Sequence, residues 1–305
     1  MYFLSRYRRG IFNRYRKQMP ASEMLLKDLN HLLLRLRLYL ANDFHHKSLL
    51  VYPHYPSRGS TIYKVAQRLG YVVTNRPDPK VDLAVYWEYL TFREEYQVLE
   101  ALADTHRVVN LYSRDISKLA VDAAFAAIFG YATQVDPLTY EGLLVRKNDI
   151  NAKHDGTILR GPLDAAEAGY IYQLLIDNTV PIEDTDLVVD IRVPVVGTLL
   201  DFVYLKYRPI NERFLNTTVR TELTPTASVF SAEEIAQLNA FCAHIQLEYG
   251  ELDVLRHTPD QRIYVVDVNN TPQGPPAHTT AQDQKEALGQ IAAAFEAQFR
   301  QSESP

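Results

Sequence analysis

The stretch 249-YGELDVLRHTPDQRIYVVDVNNTPQGPP-276 reads as two strands joined by a polar turn. Glu251–Arg256 forms the first strand, His257–Gln261 the turn with Pro259 and Asp260 in it, and Arg262–Val268 the second. Side chains repeat every two residues along a strand, so Asp267 and Asn269 share one face of the second, while Asp253 stands on one face of the first. If the strands pair, two carboxylates and an amide oxygen converge at one end of a hairpin. Mg²⁺ accepts an all-oxygen set of this kind, usually with substrate phosphates and water completing its shell. For any single acid the alternative is a solvated surface hairpin. The surroundings of Asp267 weigh against it: the residue interrupts the apolar run Tyr264–Val268, where an unpaired charge is costly, and Asn-Asn-Thr-Pro follows at once to end the strand.

The pattern Asp253, Asp267-x-Asn269, Thr271-Pro272 resembles the magnesium signature of the ATP-grasp superfamily, although the second acid there is more often Glu. The resemblance implies that Asp253, Asp267 and Asn269 hold one or two Mg²⁺ ions bridging ATP phosphates, with Mn²⁺ able to substitute. It also implies an ATP-grasp fold of mixed α+β and α/β class. A small pre-ATP-grasp α/β lobe would precede two α+β subdomains clasping ATP.

Composition sets the outer bounds. The chain has 305 residues, 47% hydrophobic and 23% charged, enough for two or three lobes with real cores. A net charge of −5 gives the whole molecule no electrostatic case for binding nucleic acid. The single cysteine, Cys242, excludes an internal disulfide framework, suits a reducing compartment and reads as a core residue. No apolar run approaches a membrane span and the first 18 residues lack the apolar core of a secretory signal, so the expected location is cytoplasmic.

Residues 1–47 form a distinct basic arm. Arg6, Arg8, Arg9, Arg14, Arg16 and Lys17 alternate with aromatic residues before the first acid, Glu23. From Ser22 to Leu40, Leu25, Leu29, Leu32, Leu33 and Leu36 recur at helical spacing. The pattern fits helices packed across the back of the main body or a homodimer contact. A peripheral membrane or protein surface is the alternative.

From Ser48 to about 112 strands and helices alternate in a βαββαβ pattern, with strands expected at 48–52, 71–74, 82–87 and 107–111 and helices at 60–69 and 91–103. The loop Pro53–Ser60 leads into a helix N-terminus, which attracts anions, so Arg58 and Ser60 are candidates to hold a substrate carboxylate or phosphate.

The remainder, 113–305, carries the expected nucleotide site. Ser117-Lys118 opens an apolar helix to Phe129 stopped by Gly130. Strands at 142–147 and 157–160 flank a polar loop. By the resemblance, Lys118 and Lys147 reach ATP phosphates, while Lys153 and His154 stand over the β- and γ-phosphates; only Gly156 supplies the loop with a glycine, where relatives carry several. Gln173, Leu175 and Ile176 fall where relatives read adenine, and Asp177 where they hold the ribose, with Glu183, Asp184 and Asp186 competing. Two long strands around Gly197-Thr198 carry Asp190-x-Arg192 and Lys206-Tyr207-Arg208. Arg192 and Arg208 are implied to balance charge on the transferred group. Arg213 and Arg220 would extend a basic lining opposite the acidic metal end. A capping box, Ser231-x-x-Glu234, starts a helix to about Glu248, and a closing helix runs from about 280 to Phe299.

The chemistry most often associated with this resemblance is ligation: a small-molecule carboxylate is activated as an acylphosphate and captured by an amine or thiol. Phosphoryl transfer to a hydroxyl, and nucleotide binding with little turnover, are the alternatives.

Overall fold

A computed structural model of the protein describes residues 47–300 except 154, 183, 184 and 216, together with 29, 32, 33, 36, 37, 39, 40 and 42. His154, Glu183, Asp184 and the basic residues at 6–17 therefore lie outside the described residues. Leu29, Leu32, Leu33, Leu36 and Leu40 are helical and more than half exposed.

The first lobe has the expected order: β1 (Lys47–Pro53), α1 (Thr61–Arg68), β2 (Tyr71–Thr74), β3 (Leu83–Trp87), α2 (Gln97–Ala103) and β4 (Val108–Val109). The strands form a parallel sheet in the order β2-β1-β3-β4. The second helix begins at Gln97, not at Thr91. Residues 91–93 instead lie beside the segment before the next helix: Phe92 bridges Asp115 and the Arg93 amide donates to the Arg114 carbonyl.

Next come α3 (Lys118–Phe129) and the three-stranded sheet β5 (Leu143–Asn148), β6 (Thr157–Arg160) and β7 (Tyr170–Leu174), ordered β6-β5-β7. Ser117 caps α3 by accepting from the Ala120 amide, and Gly130 closes it at φ 77°, a left-handed conformation that costs glycine little.

The main sheet is seven-stranded: β8 (Thr179–Ile182), β9 (Thr185–Val196), β10 (Thr198–Leu199), β11 (Phe202–Pro209), β12 (Arg220–Pro225), β13 (Tyr249–Arg256) and β14 (Ile263–Asn269), with β12-β11-β9-β13-β14 as its spine. Two helices separate β12 from β13: α4 (Thr226–Val229) and α5 (Ala232–His244), which starts at the expected Ser231/Glu234 capping box. The apolar face of α5 buries Leu238, Phe241 and Cys242 with α3 against β9, β13 and β14. The closing helix is α6 (Ala281–Arg300). Among the described residues no helix is long and apolar enough to cross a membrane.

The first lobe and the main sheet share one core. Trp87 of β3, Tyr204 of β11, Tyr249 of β13 and Phe295 of α6 belong to a single buried cluster. Two polar clasps fix the relative position of the lobe and the sheet. Arg93, 6% exposed, donates to the carbonyls of Tyr86, Ser113 and Asn270, linking the lobe to the turn after β14. Asn110, fully buried at φ 62°, accepts from the amides of Glu248 (2.9 Å) and Tyr249 (3.0 Å) and donates to the Tyr249 carbonyl (2.6 Å). Replacing Asn110 by Ala strands three buried main-chain groups and keeps a β-carbon in a left-handed backbone. N110A should lose about 3 kcal/mol of stability, and N110G about 1 kcal/mol less than that. Urea unfolding checks this, with the midpoint moving and the slope unchanged.

Candidate functional site

Strand pairing brings the chemistry-bearing residues onto one face of the main sheet. Arg192 of β9 lies directly across from Asp253 of β13, and Asp253 directly across from Asp267 of β14; Glu251 pairs with Asn269 one step along. Opposed residues on one face lie about 5 Å apart at Cβ. Asp253, Asp267 and Asn269 therefore form the corner expected from the hairpin.

Arg192 does not stand opposite this corner as the sequence suggested; it is part of it. Its Nε and Nη2 donate to the two carboxylate oxygens of Asp253 at 2.9 and 3.0 Å, and Nη1 lies 3.5 Å from Glu251. Burial alone would raise Asp253, but the Arg192 and Lys206 charges outweigh it and hold the carboxyl well below its usual range. Glu251, 3% exposed, is pushed the other way by burial, to about 7, with Arg192 only partly offsetting the shift. Asp267 is also raised by burial, against the pull of Lys118 and Lys147, and its Oδ1 is buried without a hydrogen-bond partner.

This donor set fits a hard divalent cation. Asp267 Oδ1 lacks a partner. Each Asp253 oxygen keeps a lone pair beyond the one Arg192 uses. The Asn269 Oδ1 accepts from the Thr271 amide at 3.0 Å and from the Thr271 hydroxyl at 3.4 Å, and that hydroxyl can rotate away to free a lone pair. Among the described residues no group of three His, Cys, Asp or Glu side chains gathers, so the amide of Asn269 is needed to complete the set.

The corner opens into a cavity of about 610 Å³ between the main sheet, the three-stranded sheet and the first lobe. Lys118, Lys147, Lys153, Arg192, Arg208 and Arg213 all line it. Lys118 reaches the β5–β6 loop, donating to Asn151 Oδ1 at 3.1 Å. Lys147 is pushed down to about 8, chiefly by burial. Arg208 pairs with Asp190 at 2.6 Å and donates to the carbonyls of Arg213 and Leu215, while Arg213 donates to the Ile176 carbonyl and Asn178 Oδ1.

The 174–176 linker also borders the cavity. Gln173 Nε2 donates to Thr133, leaving its buried Oε1 without a partner. The Leu175 amide is taken by the Leu143 carbonyl.

Four expected site residues do not line the cavity. Asp177 is exposed and its Oδ1 accepts from Thr179 in a local turn; its neighbour Asn178 faces the cavity instead. Arg220 is exposed, pairs with Glu222 and lies over the Tyr207 ring. Arg58 is exposed, and Ser60 is buried with its hydroxyl donating to the Ser57 carbonyl. The first helix's N-terminus is filled by the protein itself: the Thr61 amide donates to the Pro272 carbonyl, and Gly274 donates to Gly59. An internal carbonyl occupies the position the sequence offered to an anion.

Sequence reasoning missed Lys206, Asp190, Asn178 and Asn151 as lining residues. Lys206 had a signal, because it alternates with Arg208 and so faces the same way. Asn151 had none. It is set by distant partners, its amide donating to Thr91 and its side chain to the carbonyls of Ile116 and Val268.

No family model matches the chain, and no curated protein matches it. Solved structures do. A D-Ala:D-Ser ligase, VanG, from Enterococcus faecalis superimposes with a TM-score of 0.56 at 11% identity, covering 84% of this chain and 100% of that one. The ATP-grasp ligase PsnB, complexed with a precursor variant, Mg and ADP, gives 0.54 at 12% identity over 83% and 99%. D-alanine–D-alanine ligase from Bacillus anthracis gives 0.52 at 13% identity over 84% and 96%. At these identities the likeness is one of fold, and it spans nearly the whole of each neighbour. The chain has the ATP-grasp fold.

Proposed function

We propose that this protein is an ATP- and Mg²⁺-dependent ligase that activates a carboxylate as an acylphosphate for attack by an amine. The observation that carries the reading is one cavity in which the orphaned Asp267 carboxylate, with Asp253 and Asn269, faces the ammonium groups of Lys118 and Lys147. The structural neighbours support it, since they are ligases and PsnB is held with Mg and ADP.

Asp253, Asp267 and Asn269 would hold the metal, which when bound neutralises phosphate charge and polarises the phosphoryl oxygens. The other roles belong to the protein's own groups. Gln173 Oε1 accepts from the exocyclic amine of adenine, which supplies the partner it lacks. Lys147 and Lys118 bind the phosphates as point charges, with Lys153 above them on the β5–β6 loop. Arg192 stays charged between Asp253 and Glu251, which raise it above its usual range despite burial; it orients Asp253 and presents fixed positive charge to the cavity. Arg208, fastened by Asp190 and two carbonyls, does the same from the next strand.

In the reaction, a carboxylate oxygen attacks the γ-phosphorus, the bond to the β,γ-bridging oxygen breaks and ADP leaves. The amine nitrogen then attacks the acyl carbon, phosphate departs and the nitrogen loses a proton. Positioning and charge neutralisation, not covalent catalysis, are the protein's contribution. ADP release that requires both a carboxylate and an amine supports this reading. Release with a hydroxyl compound alone, leaving a phosphorylated product, would replace it with phosphoryl transfer on the same fold.

Two outcomes follow. Asp267→Asn removes a metal-ligand charge while relieving a buried carboxylate, so metal-free D267N should melt at or above the wild type. Stabilisation by Mg·ADP and ADP-releasing turnover should both fall at least about 100-fold in effective ligand concentration or rate; calorimetry and a coupled assay measure them. Lys147, at about 8, is charged at pH 7 and loses its proton as pH rises, so ADP should bind progressively more weakly from pH 7 to 9. K147R, always charged, should flatten that profile. The stability effect has the opposite sign: between about 8 and its ordinary 10.5 the unfolded chain binds the extra proton, so folding gains from rising pH.

A further inference from the structure

Five leucines on the described helical residues that precede the first lobe stay out of the core. Leu29, Leu32, Leu33, Leu36 and Leu40 are between 53% and 63% exposed. At 3.6 residues per turn they fall within an arc of about 100°, a single apolar stripe. Arg37, also exposed, and Tyr39, half-buried, flank the stripe on opposite sides. Packing across the back of the body, one arrangement the spacing allowed, would have buried these leucines.

The end of this segment is fastened to the first lobe. Asn42 Nδ2 donates to the Gly70 carbonyl at 2.8 Å, in the turn between α1 and β2. That turn lies where the parallel strands begin, beside the pairing of Lys47 with Tyr71. Tyr89, Leu90 and Thr91 line the cavity at the other end, where β3 has finished. The stripe is thus anchored at the end of the lobe away from the cavity, and whatever covers it need not close the cavity.

Charge selects the occupant. In a chain whose net charge is −5, the residues before Glu23 contain six basic side chains, no acid and an interleaved set of tyrosines and phenylalanines. A second copy of the chain would add another six cations to the same assembly, at a Coulombic cost. A nucleic acid would match the charge but gives the leucines nothing apolar to enter. An anionic bilayer meets both needs, with phosphates for the cations and acyl chains for the leucines.

We propose that residues 1–40 dock this protein on an anionic lipid surface. The leucine stripe enters the boundary between headgroups and acyl chains, and the basic residues bind lipid phosphates. One such signal gives marginal binding; two together give a stable anchor. Arg37 lays its stem along the apolar layer and keeps its charge among the headgroups, and Tyr39 sits at the same depth.

The test is flotation of the full chain with vesicles of phosphatidylcholine alone, or with about 30% phosphatidylglycerol added. The wild type should partition at least about 10-fold more strongly onto the anionic vesicles and lose that preference in about 0.5 M salt. L32D/L36D and R6Q/R8Q/R9Q should each bind the anionic vesicles at least about 10-fold more weakly. Exposed leucines contribute little to folding, so L32D/L36D should melt with the wild type; if it does not, L32Q/L36Q carries the same expectation. A wild type that ignores anionic vesicles would overturn the assignment. So would wild-type binding by the leucine variants, which would leave an electrostatic contact alone. A wild-type dimer in light scattering that L32D/L36D converts to monomer, with no vesicle binding by either, would give the stripe to a second copy instead.

Discussion

The structure around the cavity depends on the pairing of β9 with β13 and of β13 with β14. Those two registers set Arg192, Asp253 and Asp267 in a row across the sheet. Each of these charges would be expensive to bury alone. Arg192 makes two hydrogen bonds to Asp253 and lies near Glu251, which stabilises one arginine and one aspartate as an ion pair. Asp267 is left without that help, so its carboxyl is raised and one oxygen has no partner. A slip of one residue in either register would turn these side chains to the opposite face and bury them in the core of α3 and α5.

That row also explains how the first lobe contributes to the site without supplying the corner. Its hydrophobic cluster is continuous with the main sheet and α6, and Arg93 and Asn110 fasten it to the turn after β14 and to the start of β13. The lobe therefore holds both ends of the β13–β14 hairpin. Residues 272–274 reach back to the start of α1, where the Thr61 amide donates to the Pro272 carbonyl and the Gly274 amide to the Gly59 carbonyl. The β5–β6 loop closes the other side, with Asn151 bonded to Thr91 of the lobe and to the Val268 carbonyl on β14.

Much of this was legible from the chain. Alternation within 249–276 placed Asp253, Asp267 and Asn269 on a common corner, and the resemblance in motif order anticipated the fold. The helix expected from Thr91 failed because 91–93 carries no helical advantage over bonding to the segment before α3. Arg58 and Ser60 lie away from the cavity, because a helix N-terminus is a generic anion site and here the Thr61 amide donates to the Pro272 carbonyl. Asp177 satisfied itself within its own turn, as short acids do when a hydroxyl residue follows two positions later.

By itself, the sequence determined what periodicity and local chemistry control: which residues share a face of one strand, and where helices with a clear cap, such as α3 at Ser117 and α5 at Ser231, start. The tertiary structure alone decided which charges neutralise one another. Arg192 and Asp253 are 61 residues apart, and no local pattern distinguishes an arginine bonded to the acidic corner from one facing it across a cleft. That choice is made by the register of strands that meet only when the whole sheet assembles, because a pair of buried charges is stable only at bonding distance.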